Sequence, residues 1–134
     1  MGVFVAAAIP SMSRAMEAGQ PSELLGVWRG TSVCTDRVAA PACKDEVVVY
    51  EFTEGKEAGF VHWQADKVVN GKRDPMGAFD LQYDKSERCW KAEFVSPRVR
   101  SVWRVVVVEK GRLTGSATML PGGEKVRKID AKRE

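Results

Sequence analysis

The residues able to do chemistry in this chain are few: three cysteines, one histidine, and carboxylates, lysines and arginines spread along its length. Cys34 and Cys43 flank the turn-rich stretch TDRVAAPA, so a bridge between them would tie the end of one strand to the start of the next. Closing so short a loop is worth roughly 2–3 kcal/mol on the chain-entropy account. The competing reading is two reduced thiols in a loop. Cys89, next to Trp90, is left over and packs as a small apolar side chain. With no C-x-x-C pair and no histidine close to a cysteine, no metal and no cofactor is expected.

His62 stands alone, and strand alternation puts it on an outward face with Asp66, while Asp80 and Glu93 point outward on their own strands. Paired-carboxylate catalysis therefore has no cleft. No serine has a base and an orienting partner, and no glycine-rich loop is built to cradle phosphate. A barrel isomerase or hydratase is kept only as a minor alternative. Lys67 is the polar residue of most interest, because it alternates onto the face of Trp63 and Ala65. Pointing inward near a barrel mouth, it would pair with a ligand carboxylate. If the register bulges, it is a solvated strand-end lysine.

Strands are what must position these side chains. A chain of 134 residues, 44% hydrophobic and 29% charged, is long and apolar enough for one cored domain, which rules out wholesale disorder. Residues 24–34 (LLGVWRGTSVC) read as a first strand with Trp28, Gly26, Gly30 and Ser32 on one face. Period-two alternation then predicts strands at 45–53, 60–69, 76–83, 88–95, 99–109, 112–120 and 124 to about 132. The stretch NGKRDP at 70–75 reads as a turn, with Pro75 stopping strand pairing. No segment carries a helical apolar period over three turns.

Eight strands joined by short turns describe an all-β fold, an antiparallel up-and-down meander whose closure into a barrel removes its exposed edges. An open β-sandwich is the rival. Outward positions carry Arg29, Glu51, Asp66, Asp80, Lys91, Glu93 and Arg104, too many charges for the lipid-facing band of an outer-membrane barrel.

Net charge is +3, from 21 basic and 18 acidic residues that are interspersed. The densest basic run, Lys125, Arg127, Lys128, Lys132 and Arg133, also contains Glu124, Asp130 and Glu134, so a nucleic-acid partner is not expected. Residues 1–20 differ in composition from the rest. The apolar run from Gly2 to Ile9 is far shorter than the ~20 residues of a membrane span. Small residues follow, and Ser13-Arg14-Ala15 or Met16-Glu17-Ala18 would serve as a cleavage site. The segment reads as a truncated export signal or an N-terminal arm, followed by a single barrel domain at 21–134. The expected location is periplasmic or secreted.

A Gly26-Val27-Trp28 motif in the first strand, followed by a β-meander, resembles the lipocalin-like (calycin) families and most closely their small, exported, uncharacterised bacterial members. The resemblance implies that Trp28 closes one end of the barrel under a basic residue from near the end of the chain. Arg127 is the best match for that residue, and Arg104 is a second candidate.

Two fillings of the barrel are consistent with the sequence. The four tryptophans, with Tyr50, Phe52, Phe79 and Phe94, are enough to fill the interior; yet Gly30, Ser32, Ala65, Gly77 and Gly115 on the same faces leave room for a pocket. A pocket would make the protein a carrier or scavenger of a small apolar or aromatic molecule, contacting Trp63, Tyr50, Phe79, Trp103 and Ser32, with Lys67 as polar anchor. A solid core would favour a protein-binding barrel, such as an exported protease inhibitor or envelope accessory protein.

Overall fold

The computed structural model describes residues 18–134. After a short 3-10 turn, Pro21–Glu23, the chain forms eight strands: β1 Gly26–Cys34, β2 Glu46–Glu54, β3 Val61–Val69, β4 Lys72–Asp84, β5 Cys89–Val95, β6 Arg100–Glu109, β7 Arg112–Leu120 and β8 Glu124–Arg133. Each pairs antiparallel with the next, and β8 returns to β1, so the sheet closes into an up-and-down barrel. The β-branched and aromatic run of β2, VVVYEF, shows why these segments extend: such side chains suit a pleated, half-buried surface. Residues 1–17 of the leader-like segment lie outside the described residues, which begin at Ala18. No helix among the described residues is long and apolar enough to cross a membrane.

The stretch read as a turn at 70–75 is corrected. Only Asn70 and Gly71, both at positive φ, make the turn, and β4 starts at Lys72. Pro75 therefore lies inside a strand, opposite Asp66. The register shifts between Ala65 and Asp66, leaving Met76 without a partner on β3. The missing N–H of Pro75 falls beside this bulge, where an interrupted ladder tolerates it.

The barrel is filled unevenly. Trp28, Phe52, Leu81, Trp90, Val105 and Leu113 are fully buried and pack together. The Trp90 indole N–H donates to the buried carboxylate of Glu23 at 2.8 Å, tying the N-terminal turn to the core. The β4–β5 seam is short: only Gln82, Tyr83 and Asp84 pair with Lys91, Trp90 and Cys89. Beyond them the two strands part, and Met76, Phe94 and Val95 are exposed there.

Candidate functional site

The two ends of the barrel differ in chemistry. At one end Trp28 is fully buried, and its indole N–H donates to the Leu24 carbonyl at 2.9 Å. The residue over its ring is Arg133, whose guanidinium carbon lies 4.4 Å from the ring centroid. Arg133 also donates to the carbonyl of Glu23 at 2.7 Å and to that of Leu25.

Gly26 makes this arrangement fit. It sits at φ +127°, and a Cβ there would meet the Arg133 guanidinium at 2.7 Å. The expected partners are therefore corrected. Arg127 pairs with Cys34, at the far end of β1 from Trp28, and Arg104 bonds Glu87 at 2.7 Å. The register identifies the right residue, since Trp28 stands opposite Arg133 on β8. Two inward arginines of one strand, six residues apart, look alike in sequence, and only the pairing register separates them.

Away from Trp28 the interior opens into a cavity of about 280 Å³. Its apolar wall is made by Tyr50, Trp63, Ala65, Phe79, Phe94 and Trp103. The rings hold one another: Tyr50 meets Trp63 edge-on at 4.9 Å, and Trp63 meets Phe79 at 5.4 Å and Trp103 at 5.9 Å. These separations suit edge-to-face packing of aromatic quadrupoles. Met76, Gly77 and Ala78 border the cavity where β4 parts from β5. Trp63 is fully buried, and its indole N–H has no acceptor among the described residues.

The polar wall is a cluster of three side chains. Arg127 donates to the Ser32 hydroxyl at 2.9 Å, to the Ser32 carbonyl at 3.2 Å and to the Lys44 carbonyl at 2.9 Å. Its Nη1 lies 3.5 Å from Glu46 Oε1, and the two side chains are only 16% and 20% exposed. Burial pushes the neighbouring Tyr50 phenol well above its ordinary pKa, with a hydrogen bond to Ser32 opposing, so the ring stays neutral at any physiological pH.

The residues predicted for a ligand site divide cleanly. Ser32, Tyr50, Trp63, Phe79 and Trp103 come together on one cavity. Lys67 does not line it; it stands opposite Val48 and Asp74, half-buried, just past the Ala65/Asp66 bulge. Glu46 and Arg127 occupy the polar place instead. Glu46 had a signal in the sequence: two residues before Val48, it continues the inward face of β2.

Cys34 and Cys43 are joined in a disulfide that closes the loop at one rim of the barrel. Residues 39–43 of that loop line a second hollow together with Phe94, Trp103, Met119 and Arg127, beside the cavity. Cys89 is a free, buried thiol, and burial pushes its pKa up, which keeps it a weak nucleophile. His62 bonds Asp80 across the strand at 2.9 Å on the outer surface. Among the described residues no group of three or more histidines, cysteines or carboxylates could hold a metal. The arrangement can enclose and orient a small molecule.

No protein-family model matches the chain, and no curated protein is similar to it in sequence. Among solved structures, an S-type phycobiliprotein lyase from Guillardia theta is similar to it, with a TM-score of 0.54 and 8% sequence identity. The match covers 85% of this chain and 90% of that one. At that identity the likeness shows the barrel fold alone.

Proposed function

We propose that the protein is an exported carrier or scavenger of a small aromatic or short acyl molecule, held in the cavity between Tyr50, Trp63, Phe79 and Trp103. The observation that carries this reading is the cavity itself, about 280 Å³ of largely apolar interior. Apolar walls with a few convergent polar groups are the usual form of a small-ligand site, and this volume stands at the small end of such sites. A solid interior would have favoured the protein-binding alternative. The lipocalin-like resemblance gains support from the closed barrel and from Gly26, Trp28 and Arg133 acting as one unit at its base. Export is supported by the Cys34–Cys43 bridge together with the leader-like residues 1–20.

The test is to titrate the purified protein with a mixed small-molecule extract while following tryptophan fluorescence and native mass. A retained compound that is lost in a Trp63→Ala variant is the expected result. No retained compound at any concentration would sink the carrier reading.

A further inference from the structure

We propose, building on the carrier reading, that the cavity selects a neutral molecule whose apolar body ends in a group that both accepts and donates a hydrogen bond, such as an amide or a phenol, and discriminates against carboxylates. The charged residues of the cavity wall are Arg127 and Glu46, with Nη1 and Oε1 3.5 Å apart. Both side chains are at least four-fifths buried, so their charges act on an occupant with little screening by water. Together they present no net charge. A carboxylate entering beside them would gain from Arg127 and be repelled by Glu46, leaving a third, uncompensated charge in a largely apolar cavity. Burying an unpaired charge is among the costliest steps a site can require.

The pair instead displays a donor next to an acceptor. Three hydrogen bonds to Ser32 and Lys44 fix the guanidinium in place. A guanidinium carries five N–H donors in all, so donors remain for an occupant. Glu46 supplies carboxylate lone pairs beside them. An amide or phenol end satisfies both, since each can accept from Arg127 and donate to Glu46.

A pure hydrocarbon would leave the remaining donors of Arg127 and the lone pairs of Glu46 without a partner in a largely apolar cavity, and unpaired buried polar groups are costly. Lys67, the residue that would have favoured an acid, lies outside the wall.

The experiment uses the full, disulfide-bonded chain and four probes with the same body: cinnamamide, cinnamate, cinnamylamine and styrene, each titrated calorimetrically at neutral pH. The wild-type protein is expected to bind cinnamamide at least tenfold more tightly than each of the other three. In Glu46→Gln the arginine loses its counter-charge, and cinnamate should gain tenfold or more while cinnamamide changes little. In Arg127→Gln the carboxylate is left, and cinnamylamine should gain instead. Circular dichroism establishes that each variant is folded, and the wild-type ranking stands as a test without them. Cinnamate binding as tightly as cinnamamide to the wild-type protein would overturn the charge argument while leaving the carrier reading in place. Styrene equal to cinnamamide would overturn the requirement for a polar end. Failure of all four probes, styrene included, would count against the carrier reading itself.

Discussion

Arg133 lies over Trp28, its guanidinium carbon 4.4 Å from the ring centroid, while its N–H groups reach the carbonyls of Glu23 and Leu25. One side chain thus joins the last strand, the first strand and the turn before it. Truncating Trp28 to alanine removes a fully buried aromatic and is expected to cost ~3–5 kcal/mol. Arg133→Met should cost ~1–3 kcal/mol, from the lost cation–π contact and the bonds to two carbonyls. The two losses should be sub-additive in a double-mutant cycle read by urea denaturation, whereas Arg127→Met and Trp28→Ala should add. Additive effects of Trp28 and Arg133 would mean that the contact carries no energy.

The barrel was legible in the sequence because its strands alternate cleanly and are separated by turns, and period-two patterning survives without tertiary information. What failed was local. Pro75 reads as a strand breaker, but a bulge opposite Ala65 and Asp66 lets β4 absorb it, and bulges leave no mark in composition. The same bulge lies next to Lys67, which shares the face of Trp63 and Ala65 yet stands outside the cavity wall. The aromatic wall could be read from face alternation. Its polar partner could not, because assigning Arg127 to the cavity and Arg133 to the base depends on the β1–β8 register, a pairing across nearly the whole chain.

The disulfide gives a second prediction. Cys34 and Cys43 close the loop at the barrel rim, so the Cys34→Ser, Cys43→Ser double variant should lose roughly 2–3 kcal/mol against the oxidised protein. Reducing the wild-type protein should give the same loss, measured by urea denaturation. Mass spectrometry of protein from its source cell should find the bridge intact and the chain shortened to about Gly19. A full-length, reduced protein would contradict both the bridge's role and export.

Stability should also fall in acid over a defined window. Asp84 accepts hydrogen bonds from the Ser86 hydroxyl at 2.7 Å and the Glu87 backbone N–H at 2.9 Å, with Lys91 at 3.4 Å, and its pKa drops from 3.8 to about 2. A depressed carboxylate stabilises the fold fully above its unfolded pKa, and that contribution is lost as pH falls through the folded value. Asp130, held down by Arg112, and Glu87, held down by Arg104 and Lys91, act in the same direction. Wild type should therefore be more stable than Asp84→Asn at neutral pH, with the difference shrinking as pH falls from about 4 toward 2. A difference independent of pH would show that the Asp84 hydrogen bonds do not depend on its charge.

Gly77 offers a way to close the cavity without damaging the core. It borders the cavity on β4, opposite Ala65, and a Cβ placed there would meet nothing within 4 Å. Its φ lies outside the left-handed range, so a larger residue introduces no backbone strain. Gly77→Leu should therefore leave stability unchanged or raise it by ~0.5–1 kcal/mol, since a strand glycine is entropically costly and packs nothing. The added side chain would occupy cavity space beside Phe79 and Phe94. Affinity for any retained compound should fall at least tenfold while the urea midpoint holds or rises. That pairing of results separates a blocked cavity from a damaged fold, which Trp63→Ala alone does not, because removing a buried indole lowers stability as well. Unchanged binding in Gly77→Leu would place the ligand elsewhere on the barrel, and the cavity would then be only a packing gap.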